Sequence, residues 1–449
     1  MKTRILALLV GLGLIPLLGG ADWPQFRGPK RDGHSADKGL LKQWPAAGPK
    51  LLWTFKKTGL GYSGPAVVGD RLYIMGARDE AEFLIALDLK DDGKELWSLK
   101  LGPIFSWKGN TWNEGPSATP TVDGELVFAL SGQGDLVCAT TAGEQKWRKS
   151  MTKDLNGEVN PIGGAPAPFG WGYTWSPLVD GDKVICLPGG KDGLMAALDK
   201  NTGKLLWRSK EVPEQATYSS PIVAEIGGVR QYIAMTALDE RKEGGTNSSG
   251  GLLGIAPADG KLLWYFHRQP GYSDCVIPTP IHHEGQIYTT VGFNLGCDLI
   301  SVTKKGDTFT AKDEYDRKTQ KNLINREGGV VLLDGKIYGH SFEGKAKGWN
   351  CQEWKTGKTI WTDKKAKFEP GSIIYADGLF YIYGAENGTC VLVKPNGMKW
   401  DEISRFDIPE KSKLRKQRGE IWTHPVIANG KLFLRDQELL FCFDIADKK

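Results

Sequence analysis

Short apolar runs separated by Gly, Pro, Asp and Asn recur along the chain, the pattern of strands joined by tight turns. Thr119-Pro-Thr-Val-Asp-Gly-Glu-Leu-Val-Phe128, Ser176-Pro-Leu-Val-Asp-Gly-Asp-Lys-Val-Ile-Cys186 and His424-Pro-Val-Ile-Ala-Asn-Gly-Lys-Leu-Phe433 share one form. Each is a β-rich run, a two-residue turn and a second β-rich run. Asp-Gly and Asn-Gly suit such turns because both central residues of a type I′ turn need positive φ. A second unit follows downstream, clearest in Ala197-Leu-Asp-Lys-Asn-Thr-Gly-Lys-Leu-Leu-Trp207. It returns at Ala86 to Trp97 and at Ala256 to Trp264, and the Gly-to-Trp spacing recurs at Gly143 to Trp147 and Gly357 to Trp361. Gly397-Met-Lys-Trp400 is shorter, and Gly306-Asp-Thr-Phe-Thr310 has Thr where Trp is expected.

Two hairpins make four strands in roughly 40 to 50 residues, the size of one propeller blade. Inner hairpins open near Gly64, Ser117, Ser176, Ser219, Pro278, Gly328, Pro370 and His424. The pattern therefore predicts an all-β, eight-bladed β-propeller with four-stranded antiparallel blades. The last blade runs out of chain after Phe441-Cys-Phe-Asp444, while Gly48-Pro-Lys-Leu-Leu-Trp53-Thr-Phe55 is an outer strand without a blade. The N-terminal strand is thus expected to complete the last blade and close the ring, leaving no open sheet edge. Trp53, Trp97, Trp147, Trp207, Trp264, Trp361 and Trp400 are expected to wedge each blade against its neighbour.

Composition adds compartment and excludes one partner class. The net charge of +5 includes Lys2 and Arg4 at the N-terminus, and there is no clustered basic stripe for nucleic acid. The basic run Lys411 to Arg418 reads as a solvated loop. Lys2 and Arg4, the apolar stretch Ile5 to Leu18 and the small residues Gly19-Gly20-Ala21 form a signal-peptide pattern. The expected organisation is a signal peptide at 1–21, an N-terminal extension at 22–47 and the propeller at 48–449. Export to a periplasmic or secreted location follows, with no transmembrane segment after cleavage and a monomeric ring. The seven scattered cysteines are expected to be small core residues, with one disulfide between neighbouring strands left open.

The motif Ala-x-Asp-x-x-Thr-Gly-x-x-x-Trp resembles the tryptophan-docking repeat of quinoprotein propellers, the PQQ-like family. The resemblance covers residues 48 to 449, and the Asp22-Trp-Pro-Gln-Phe-Arg-Gly-Pro opening is similar to exported members without assigned activity. It implies a fold shared by quinone-dependent dehydrogenases and by a non-catalytic scaffold of outer-membrane protein assembly. The dehydrogenases combine a vicinal cysteine pair, a Trp platform and a Ca²⁺ site of Glu, Asn and Asp. No two cysteines are adjacent here, so no PQQ cofactor, metal or catalytic residue is expected. The first expectation is a binding or scaffold module for an envelope or extracellular protein or a glycan. A dehydrogenase with a degenerate site and a carbohydrate-active propeller are the alternatives.

Long connections at Gly102–Pro116, Met151–Thr174, Phe266–Val276, Ala311–Glu327 and Glu402–Ile421 point to one binding face, since long irregular loops in compact folds tend to carry function. Their ends hold Trp112, Glu114, Trp171, Trp175, Tyr218, Tyr272, Asp274, Arg326, Glu327, Glu420 and Trp422. These are the expected lining of a funnel mouth with stacking surfaces and a few charges.

Overall fold

In the computed structural model the described residues are 21–160, 165–237, 250–268, 276–293, 295–365 and 367–448. They form eight antiparallel blades and, among them, no α-helix, only a single 3₁₀ turn at Thr319–Asn322. Blade 1 runs through Ala66–Val68, Arg71–Arg78, Ala81–Asp88 and Lys94–Pro103, and the next six blades repeat that order from the axis outward. Blade 8 takes Val426–Ala428, Lys431–Asp436 and Leu439–Asp444 from the C-terminus and Lys50–Phe55 from the N-terminal region. Trp53 stands opposite Cys442 in that last pairing, so the two ends of the chain share one sheet, as expected.

The turns form where the residue pairs demand. Asp334-Gly335, Asp377-Gly378 and Asn429-Gly430 all have positive φ at both positions, as the inner hairpins require. Inner and middle strands such as Asp135–Thr140 are buried along nearly their whole length because a blade is covered on both faces. Outer strands differ. Gln145–Ser150 and Leu205–Arg208 bury a single residue each, Trp147 and Trp207.

Those rings reach the following blade. The indole N–H of Trp97 donates to Thr141 O (3.2 Å), that of Trp147 to Lys200 O (2.9 Å) and that of Trp207 to Pro257 O (3.0 Å). Gly143, Gly203 and Gly260 lie against the same three rings, and Gly93 lies against Trp53; a Cβ on any of them would collide with the indole. Trp361 likewise donates to Asn396 O at 2.8 Å. Two of the expected tryptophans are placed elsewhere. Trp264 donates to Gln231 in its own blade (2.7 Å), and Gly306 of the next blade stands open. Trp400 turns back to Trp349 and Phe368, with ring centroids 5.9 and 6.2 Å away.

Other aromatics stand where the motif fails. In blade 5, Thr310 is exposed, and Tyr315 lies on Gly357 with its hydroxyl donating to Trp354 O. In blade 7, Phe406 lies on Gly48, at the entrance to the outer strand of blade 8. Cys138, Cys351 and Cys442 pair with Trp147, Trp361 and Trp53, and Cys390 pairs with Phe406. A small apolar residue opposite the ring accounts for these four cysteines. The described cysteines are free and buried, and Cys275 lies outside the described residues.

The segment 22–41 crosses the end of the ring that carries the inner hairpin turns. Trp23 bridges Val67 of blade 1, and Pro24 O accepts from Val122 N of blade 2. Arg31 reaches the entries of blades 3 and 4, and Arg27 reaches Val330 of blade 6. His34–Ser35 adds a short parallel strand to blade 7, and Ser35 Oγ donates to Ile427 O of blade 8. Trp23, Leu40 and Trp44 join the apolar core of blades 7, 8 and 1.

Candidate functional site

On the face opposite that strap, the connections between blades surround a cavity of about 480 Å³. Its wall is aromatic: Tyr62, Trp107, Trp112, Trp171, Tyr218, Phe293 and Trp422, with Phe26 of the strap among the lining residues. Ser117, Thr119, Thr174 and Ser220, from the entries to the innermost strands, add hydroxyl groups.

The rings are held from behind. Trp107 and Trp171 meet edge to face with centroids 5.4 Å apart, and Asn113 Nδ2 donates to Trp171 O at 3.1 Å. Tyr62 packs on Trp422 at 4.9 Å and donates its hydroxyl to Trp112 O at 3.1 Å. The Arg418 guanidinium lies 5.5 Å from the centroid of the Trp112 ring, within cation–π reach. Tyr218 donates to Asn160 O at 2.8 Å. Glu82, deep between blades 1 and 2, accepts from Phe105 N and Gly132 N, both at 2.8 Å, and so anchors the base of the connection that carries Trp107 and Trp112. Burial pushes the Glu82 carboxyl up to about 7.

Charge at the mouth is mostly compensated. Arg326 Nη2 sits 2.8 Å from Glu327 Oε1, and its guanidinium lies 4.6 Å from the Phe342 ring centroid. Burial pushes the Glu327 carboxyl up, and Arg326 pulls it back. Glu114 faces Lys416 at 2.9 Å and accepts from Ser106 Oγ at 2.6 Å.

Of the residues expected at the mouth, Trp112, Trp171, Tyr218, Arg326, Glu327 and Trp422 line the cavity. Glu114 and Glu420 stand outside the lining, the first engaged with Lys416 and the second half-buried beside Glu327. Trp175 is in the core, fully buried beside Tyr173, because it directly precedes the Ser176-Pro177 entry to an inner strand. Tyr272 and Asp274 lie outside the described residues. Trp107, Phe293, Arg418, His424 and Phe26 line the cavity without having been singled out. Trp107 and Arg418 sit inside connections already marked as long, and that signal could have found them. Phe26 carried no such signal.

Residues 82–289 match the family described as outer membrane protein assembly factor BamB. Among solved structures, the europium-containing methanol dehydrogenase superposes with a TM-score of 0.63 at 14% identity, over 92% of this chain and 89% of that one. The quinohemoprotein alcohol dehydrogenase from Comamonas testosteroni gives 0.61 at 12% identity, over 96% of this chain and 81% of that one. BamB from Moraxella catarrhalis gives 0.54 at 13% identity, over 88% of this chain and 99% of that one. The chain thus has the fold of the PQQ-like propellers, and residues 82–289 resemble that family in sequence. A stretch of this chain is also 26% identical over 188 residues to the eukaryotic translation initiation factor 2-alpha kinase pek-1 of Caenorhabditis elegans. That stretch is 38% of this chain and spans only 14% of the kinase.

The described lining of the cavity includes Glu327 and Asn113 among side chains able to ligate a cation. Glu327 is the acidic residue among its described lining, and Arg326 already holds that carboxylate. No three His, Cys, Asp or Glu side chains among the described residues converge in a way that could hold a metal. Among the described residues, no helix is long and apolar enough to cross a membrane.

Proposed function

We propose that this PQQ-like propeller is an exported binding module whose axial cavity holds a ring-bearing group of an extracytoplasmic ligand, a sugar ring or an aromatic side chain. The observation that carries this reading is the cavity itself. Its volume falls in the range of small-molecule sites, and aromatic faces with a few placed polar groups wall it. Flat apolar faces stack on rings, while hydroxyl, guanidinium and main-chain groups at their edges fix orientation. The likeness to a family described as an assembly factor supports a binding role. The leader-like N-terminus supports export.

The test compares native protein isolated from the envelope fraction with a Trp112→Ala, Trp422→Ala variant, by mass spectrometry of what stays bound. Removing two stacking faces at the centre of a site is expected to weaken retention by about a hundred-fold or more. Undiminished recovery from a folded variant overturns the reading.

A further inference from the structure

Below the aromatic mouth, the strap places two arginines on the axis of the ring, and their environments differ from the compensated charges above. Arg27 and Arg31 are each only 3% exposed. Arg31 is satisfied by main chain and amide: Nη1 donates to Ser176 O (3.1 Å) and Pro221 O (3.0 Å), Nη2 to Pro177 O, and Nε to Gln25 Oε1 (2.9 Å). Arg27 is not. Its Nη2 donates to Asp32 O (3.1 Å) and Val330 O (2.5 Å), while Nε and Nη1 have no acceptor.

The idle Nη1 lies at Gly329, so close that a Cβ there would collide with it, and His424 Cε1 is 3.5 Å from the same point. His424 Nδ1 also lacks a partner. Its ring meets Phe26 edge-on with centroids 5.2 Å apart. Phe26, Gly328 and His424 are all lining residues of the axial cavity. Buried guanidinium N–H groups without an acceptor are costly, since their lost hydration is returned only by charge-assisted hydrogen bonds. Burial lowers Arg27 to about 10, which leaves it a cation at neutral pH, with Asp32 the nearby carboxylate that opposes the shift. Burial, with Arg27 adding to it, lowers His424 to about 3, so its imidazole is neutral and Nδ1 donates or accepts according to tautomer.

We propose that the floor of the axial cavity is an oxyanion site, in which Arg27 Nη1 and the His424 ring receive a carboxylate or phosphate group of the ligand. This rests on the reading of the cavity as a binding site and narrows it. The ligand carries a ring toward the mouth and an anionic group toward the strap. Gly329 has φ of +69° and no side chain; Arg27 Nη1 would stand 2.4 Å and His424 Cε1 3.5 Å from a Cβ there, so the missing Cβ is what lets the guanidinium approach the imidazole directly behind the cavity lining.

The test is calorimetric titration of the full chain at constant ionic strength with inorganic phosphate and, separately, with acetate. Saturable binding of at least one is expected, and which one identifies the source of the anion. Arg27→Gln is expected to weaken it about ten-fold or more, the weight of one charge-assisted hydrogen bond. His424→Gln, which keeps Arg27 and its two hydrogen bonds in place, is expected to weaken it as well and serves where Arg27→Gln fails to fold. Absence of saturable binding to both anions, or identical curves for wild type and folded variants, overturns the site. The two readings fail separately. Unchanged phosphate curves in Arg27→Gln remove the oxyanion site alone, whereas retained native ligand in the Trp112→Ala, Trp422→Ala variant removes the cavity reading.

Discussion

From the outer strand of blade 8 round to that of blade 3, a tryptophan lies on a glycine of the following blade; across the ring, at blades 5 and 7, Tyr315 and Phe406 occupy that place. The two arcs share a junction but not a residue. A flat ring covers a turn that has no Cβ, and the polar tips of Trp97, Trp147, Trp207 and Tyr315 donate to a main-chain carbonyl two or three residues before that glycine. Phe406 keeps the first feature and dispenses with the second. What recurs around the ring is therefore a shape and, in most junctions, one hydrogen bond. The tryptophan motif is the commonest way of making it. The junction between blades 4 and 5 goes further still, since Trp264 bonds within its own blade and leaves Gly306 uncovered.

This comparison breaks most visibly at Trp207. Truncation to Ala removes a buried ring and leaves a cavity between two blades, with an expected loss of about 3–5 kcal/mol in denaturant unfolding. A loss below about 1 kcal/mol would mean that the blades hold together without it. Glycine substitutions sharpen the contrast at intermediate size. Gly203 and Gly306 have similar φ of +69° and +60°, so an added methyl strains both backbones equally. A Cβ on Gly203 would also fall 2.7 Å from the Trp147 ring, whereas nothing lies within 4 Å of one on Gly306. Gly306→Ala is expected to cost about 1 kcal/mol from the backbone alone, and Gly203→Ala about 2–4 kcal/mol once overpacking is added. Equal losses at the two sites would show that the ring yields freely, and the junction would then be loose.

The same contrast explains what the chain discloses before it is folded. Strand closure by Trp53 and the hairpins at Asp334-Gly335 and Asn429-Gly430 are local matters of turn chemistry and spacing, and both are visible in the string of residues. Trp112, Trp171, Arg326 and Trp422 were accessible to reasoning because they flank long connections. Trp175 flanks one too, yet it sits three residues before the inner strand that begins at Leu178 and is drawn into the core. Arg27 acts on Val330, which lies 303 residues away, and no periodicity links positions so distant. Tyr315 escaped because it stands five residues beyond the Thr310 that the motif selects, at a register set by the outer hairpin of blade 5 and not by Gly-to-Trp spacing.

The finest test falls on that same tyrosine. Tyr315→Phe keeps the ring over Gly357 and removes the hydroxyl that donates to Trp354 O, so only the hydrogen-bond half of the junction is lost. The expected cost is about 1 kcal/mol, read as a lower denaturation midpoint with an unchanged slope. Thr310→Trp supplies the residue that the motif calls for, but at an exposed site on the outer strand, and its effect is expected within about 0.5 kcal/mol of zero. Were Thr310→Trp to stabilise the chain and Tyr315→Phe to leave it unchanged, the junction would belong to the motif position after all. With the reverse result, the tyrosine hydroxyl does in blade 5 what the indole N–H does in blades 1 to 3, and the junction is defined by where its polar tip reaches.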